Sequence, residues 1–248
     1  MKKRMKPGTL VSQCIIWAVV IILTLSCLLP LLNMVAISFS GSDAVAANQV
    51  GLIPKDFNVS TYQKLLGDSQ FWRSFLISVV RVILGTLINM FFTVTMAYPL
   101  SKSKHRFHAR DIYMKIVIFA MLFNGGIIPL FMVVSKLHMI NTIWALVLPG
   151  AVPVFNVILL VNFFKGVPES LDEAARIDGS GEFHTFNRIV LPIMKPAIAV
   201  QAIFSFVGSW NNYFVPALII QSKDKMTVPI LIAALRGADY MNFDMGKI

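Results

Sequence analysis

Charge is what this sequence has least of. Only 14% of its 248 residues are Asp, Glu, Lys or Arg, against 56% from the apolar set Ala, Val, Ile, Leu, Met, Phe, Trp, Tyr and Cys. Soluble domains are about a quarter charged, so the shortage excludes an ordinary soluble domain and selects the membrane class. The same hydrophobicity excludes disorder. Cysteine is nearly absent, with only Cys14 and Cys27. In one helical run these stand roughly 20 Å apart, at about 1.5 Å per residue, so they cannot pair and no disulfide scaffold exists. Carboxylates are scarce too, 12 against 22 basic residues, and none falls inside a long apolar run. That removes a paired-Asp intramembrane protease and weakens a proton-coupled carrier; a sodium-coupled carrier, which can use backbone carbonyls, stays open. His105 and His108 are too few for a metal site. Gly179-Ser180-Gly181 lacks the frame of a hydrolase elbow, and no phosphate-binding glycine loop precedes Gly246-Lys247. The chain is expected to bind no cofactor and to catalyse nothing by itself.

What is present is apolar length. Five runs, at about 12–37, 72–99, 112–134, 142–164 and 197–220, are long enough to cross a hydrocarbon core of about 30 Å as helices. They are continuously apolar, unlike the alternating strands of a barrel. The expected fold is an all-α polytopic bundle: a basic N-terminus over 1–11, a first span at 12–37, an external loop over 38–71, and a core over 72–248. Of the 22 basic residues, 13 fall on the side of the N-terminus and of the 101–110 and 165–195 connections. Eight fall on the other side, and Arg81 lies within the second run. The richer side is expected to be cytoplasmic, which makes the net charge of +10 a topology signal and gives nucleic acid no role. The 221–248 tail reads as mixed polar, so the expectation is either five spans in all or a chain that ends before a sixth.

The longest cytoplasmic connection is patterned. Pro168 suits the first turn of a helix. Leu171, Ala174, Ala175 and Asp178 follow at i, i+3, i+4 and i+7, with Glu173 and Arg176 on an adjoining polar stripe. Gly179 suits the left-handed position that ends a helix. A second helix is expected from Ser180 or Gly181, with Phe183, Phe186, Ile189 and Val190 as its apolar stripe, ending before Pro192. Small side chains at Ala174 and Ala175 let another surface approach closely. In the fifth run, Ser205, Ser209, Trp210, Asn211, Asn212 and Tyr213 offer aromatic, amide and hydroxyl groups of the kind that hold sugars. With Arg81 they are candidates for a polar pathway. Interhelical hydrogen bonding, interfacial anchoring or snorkelling accounts for them equally.

Glu173-Ala174-Ala175, three residues, Gly179, nine residues, Ile189, one residue, Leu191-Pro192 matches the EAA-x3-G-x9-I-x-L-P signature at every fixed position. The chain thereby resembles the permeases of ABC importers. Arg81 to Thr86, Ala97-Tyr98-Pro99-Leu100-Ser101, Phe123 to Pro129 and Trp210 to Phe214 are similar to the maltose-type carbohydrate branch, and the Gly-Gly-Ile-Ile-Pro stretch to its complex-oligosaccharide subgroup. The resemblance implies a paired, related permease chain, cytoplasmic ATPase subunits that carry ATP and Mg, an extracytoplasmic sugar-binding protein, and a bacterial plasma membrane around the bundle. It also implies that Glu173, Ala174, Ala175, Asp178, Gly179, Ile189, Leu191 and Pro192 form the ATPase-coupling loop. Such permeases normally have six spans. A permease for a peptide or amino acid remains the nearest alternative, because the EAA loop reports the motor and not the cargo; a secondary carrier is the more distant one.

Overall fold

The computed structural model describes residues 7–235. The basic cluster Lys2, Lys3, Arg4 and Lys6, and the tail residues Arg236, Gly237, Asp239, Asn242, Asp244 and Lys247, lie outside them. The described residues are helical with no strand, and they divide into two units between Asp68 and Ser69.

The first unit is one long helix and a folded-back loop. Over residues 12–35, helix α1 (Pro7–Ser38) keeps its apolar side chains exposed, Trp17 and Ile22 at 65%. In water that surface is prohibitively large; in lipid it is the expected state. After it come the short helices α2 (Ser42–Ala46) and α3 (Ser60–Gly67). The intervening loop is fastened to the end of α1. Asn33 Nδ2 donates to the carbonyls of Val50 and Gly51, Ser40 Oγ accepts from Lys55 N, and Phe39 stacks on Phe57 and Tyr62.

The second unit is the bundle. Its axis is α4 (Ser69–Ser101), which packs mainly against α8 (Val154–Lys165) and α11 (Leu191–Asn211). Between α4 and α8 lie α5 (Arg110–Leu122), α6 (Ile127–Lys136) and α7 (Ile143–Val147). Next come α9 (Glu169–Ile177) and α10 (Glu182–Thr185) before α11, and α12 (Phe214–Ile219) after it. Val94, Ala97 and Leu100 of α4 meet Val157, Leu160, Val161 and Phe164 of α8, with Val117, Val190 and Met194 closing the same core.

Three of the five apolar runs are not single straight helices. Among the described residues, three helices are long and apolar enough to cross a membrane, or up to five if each bent pair counts as one span. The 112–134 run turns by 113° between α5 and α6. Asn124 Oδ1 accepts from Gly126 N at 2.9 Å, and Gly126 takes φ +84°, a conformation open to glycine. Pro129 follows within the first turn of α6, where no donor is needed. The 142–164 run bends by 47° across 151–153, ahead of Pro153. The 197–220 run breaks at Asn212 and Tyr213.

At its other end α11 reaches further back than expected. The helix after Gly181 does not stop before Pro192; residues Phe186–Val190 form a π-turn and the helix continues through Pro192. A widened turn just before a proline re-registers the ladder at the point where the ring would clash with it. The 221–248 tail is also less uniform than its composition suggests, being helical over 228–235. Ser78 Oγ of α4 accepts from Val228 N at the start of that helix.

Candidate functional site

The 101–110 and 165–195 connections, which the charge distribution assigns to one side, meet at one end of the bundle. Lys102 Nζ and Arg106 Nη1 both donate to Asp172 Oδ2, the latter at 2.7 Å. The Asp172 side chain is only 8% exposed. Lys102 Nζ also sits 4.3 Å from the centroid of the Tyr98 ring, and that ring packs on Phe186 at 4.6 Å and Phe164 at 5.8 Å. One aspartate and one aromatic contact thus bind both parts of the patterned connection to the end of α4.

Helix α9 is closed as the glycine predicts. Gly179 has φ +75°, its N–H reaches Arg176 O, and Ser180 N reaches Ala175 O at 2.9 Å. These are the paired bonds of a Schellman cap. At its start, Pro168 is the N-cap and Glu169 the first helical residue, so the proline sits one position earlier than expected. The inner face differs from the predicted stripe. Asp172 and Ala175 are buried, while Leu171, Ala174 and Asp178 are exposed. Reading the stripe through Leu171 rather than Asp172 displaces it by one residue, about 100° around the helix.

The signature residues separate into three groups. Glu173 and Ala174 face outward, alongside Ile177 at 87% and Phe183 at 81% exposure. Ala175, Asp178, Gly179 and Ile189 line an open hollow of about 500 Å³ between the two helices. Leu191 packs on the core, and Pro192 is exposed in the first turn of α11. Asp172 is the residue that sequence reasoning missed. Its signals were a carboxylate three residues before Ala175 and a basic loop on the same side.

Further along α4 and α11 the interface is polar. Asn89 Oδ1 accepts from Ser205 Oγ at 2.8 Å, and Asn89 Nδ2 donates to Gly150 O. Thr93, Gln201 and Arg81 are buried with unpartnered polar atoms. Arg81 Nη1 donates to the carbonyl oxygen of Asn212 at 2.9 Å, beyond the end of α11. Arg81, Gly85, Ser209 and Asn212 line one cavity of about 240 Å³, together with residues of the 145–150 segment, α6 and α12. The other pathway candidates are placed elsewhere. Trp210 packs edge-on to Phe75 and parallel to Phe206, Asn211 Nδ2 returns to Val207 O, and the Tyr213 ring is beside Phe214. At this end Arg73 pairs with Asp224, and Asn141 Oδ1 accepts from Gln221 N and Ser222 N. Among the described residues no cluster of three or more His, Cys, Asp or Glu is arranged to hold a metal.

Comparison with known proteins places this architecture. The family described as binding-protein-dependent transport system inner membrane component matches residues 5–242. The chain belongs to this family. It is an ABC permease: a multi-pass membrane component of a transport system, and not itself a catalyst. Protein LplC of Bacillus subtilis (strain 168) is 40% identical over 205 residues, covering 83% of this chain and 69% of that protein. The polygalacturonan/rhamnogalacturonan transport system permease protein YtcP of the same organism is 37% identical, covering 88% and 76%. A solved structure of a bacterial ABC transporter involved in the import of the acidic polysaccharide alginate superposes with a TM-score of 0.84. That likeness is at 28% identity and covers 94% of this chain and 81% of the other. The permease fold expected from the EAA signature is therefore correct.

Proposed function

We propose that this permease forms half of the translocation pathway of an ATP-driven, binding-protein-dependent oligosaccharide importer. A second, related permease supplies the other half. Cytoplasmic ATPase subunits, which hold the ATP and Mg, grip the connection around Glu173 and Gly179, and a sugar-binding protein docks on the opposite face. The N-terminus lies in the cytoplasm, as the distribution of basic residues supports.

The observation that carries this reading is the two-sided construction of α9. Its inner face is fastened through Asp172 to the loop that follows α4, while Glu173, Ala174 and Ile177 are left uncovered. A motor subunit pulling on the outer face would move α4 through the inner one. Glu173 supplies a polar contact to that subunit, Ala174 the close approach, and Gly179 the turn, while Ala175 is buried on the inner face. Nucleotide drives the cycle only through its differential affinity for the two states of the assembly. The carbohydrate cargo is supported by YtcP and by the arabinooligosaccharides transport system permease AraQ of Halalkalibacterium halodurans, 31% identical over 87% of this chain and 78% of that protein.

The test is the reconstituted complex carrying Gly179→Leu. A side chain at φ +75° costs about 1–2 kcal/mol in the cap. Binding-protein-stimulated ATPase and oligosaccharide uptake are both expected to fall. Full coupling in that variant would remove the handle from the mechanism.

A further inference from the structure

Arg81 is 4% exposed and lies about 18 Å along α4 from its start, at about 1.5 Å per residue, well inside the helix that reads as a span. A guanidinium is permanently charged and carries five N–H donors. At such a depth it is costly, and such groups pair with an opposite charge or face a cavity. Among the described residues Arg81 has one hydrogen bond, to the Asn212 carbonyl oxygen, and its buried Nε has no partner. The carboxylates that form ion pairs in the bundle are Asp111, Asp172 and Asp224, and none of them pairs with Arg81. A helix C-terminus presents roughly half a negative charge, so Asn212 at the end of α11 offsets only part of a full positive one. Among the described residues, the rest is left to the cavity that Arg81 lines.

The surroundings of that cavity suit a sugar unit. Gly85, one turn beyond Arg81 on the same face of α4, opens the wall toward Ser209; a Cβ there would stand 3.7 Å from Ser209 Oγ. Ser209 and Asn212, one with a hydroxyl and one with an amide side chain, line the same cavity. At about 240 Å³ it is smaller than the roughly 300–1,000 Å³ that encloses a drug-sized ligand, which fits a single unit of a longer chain.

We propose that this cavity is a carboxylate subsite of the translocation pathway. It takes a uronic-acid unit of an acidic oligosaccharide, with the Arg81 guanidinium on the carboxylate and Ser209 and Asn212 on the sugar hydroxyls. The inference rests on the oligosaccharide-importer reading and adds the charge of the cargo. A guanidinium grips a carboxylate through two parallel N–H bonds, which an uncharged hydroxymethyl group cannot reproduce.

The experiment uses the complete reconstituted importer, with digalacturonate and its carboxyl-reduced digalactoside as paired probes. Wild type is expected to prefer digalacturonate by about tenfold or more in uptake at limiting probe, the scale of a charged hydrogen-bonded pair. Arg81→Gln is expected to bring digalacturonate down to the level of the neutral probe, and Arg81→Lys to give intermediate preference. Should the Gln variant not assemble, competition on wild type decides, with galacturonate monomer expected to inhibit more strongly than galactose. Equal uptake of both probes by wild type, or inhibition by both monomers alike, overturns the subsite while leaving the importer reading intact. Loss of assembly or of ATPase in both Arg81 variants, with no preference in wild type, makes Arg81 a partner for a carboxylate of the second permease and also overturns it. Failure of wild type to move either probe or to respond in ATPase overturns both readings.

Discussion

Two cationic sites, one half-buried just beyond the end of α4 and one buried in its middle, are treated in opposite ways. At the end beside the EAA connection, Lys102 and Arg106 converge on Asp172, and Tyr98 covers the ammonium. In mid-helix, Arg81 meets one carbonyl oxygen and a cavity. In the first arrangement each cation has a carboxylate within the chain, although Asp172 Oδ1 has no partner among the described residues, so its charge does mechanical work by joining α9 to the loop that follows α4. The second is left incomplete within the chain, so its charge is available to something that comes and goes. Satisfaction of charge, more than its presence, separates a joint from a binding site in this bundle.

The largest way to break the comparison is to remove the shared aspartate. Asp172→Leu leaves two half-buried cations without their anion, a loss of up to about 3–5 kcal/mol, the value for a fully buried pair broken from one side. The detergent-purified complex is expected to unfold at a clearly lower temperature, and ATPase to become uncoupled from uptake. Adding Lys102→Met and Arg106→Leu should recover much of the stability, since all three charges are then gone, but not the coupling. An Asp172→Leu complex as stable as wild type would mean that the joint is ornamental.

How much of this was readable beforehand depends on the physics each feature uses. Apolar length and the EAA spacing are properties of contiguous sequence, so the spans, the handle and the Gly179 turn were legible. The Asp172 joint depends on which face of α9 turns inward, and that is set by α4 and the 101–110 loop. A stripe drawn through Leu171 follows hydrophobicity within the loop alone and misses it by one position. The bends at Gly126 and Asn212 were only partly visible for a related reason. Each falls within a run whose composition stays apolar, and the asparagine at each break and the proline that follows it, Pro129 or Pro216, record it. The cavity was half visible. Arg81, Ser209 and Asn212 come together, whereas Trp210 and Asn211, adjacent in sequence, turn to other faces because a helix separates neighbours by about 100°.

A smaller effect is expected between the two sites, at the pair Asn89 and Ser205. Ser205→Ala removes a 2.8 Å hydrogen bond but leaves Asn89 its bond to Gly150 O. Interhelical bonds of this kind in membrane bundles average about 0.6 kcal/mol, so the unfolding midpoint should move only slightly. A loss comparable to that of Asp172→Leu would show that this polar contact between α11 and α4 matters to the bundle as much as the charged joint at α9.

The smallest expected effect sharpens the contrast most. Arg81→Met in the substrate-free complex deletes a buried charge together with a single hydrogen bond to a carbonyl oxygen. The lost bond is worth about 1 kcal/mol, and relief from holding an incompletely paired cation in a dry place acts in the opposite direction. The two nearly cancel, so the unfolding temperature should stay unchanged or rise a little. Asp172 and Arg81 are both buried and both charged, yet removing one should cripple the resting assembly and removing the other should leave it sound. If Arg81→Met proves as destabilising as Asp172→Leu, the guanidinium is already fully paired within the resting complex, and no vacancy exists there for a carboxylate to fill.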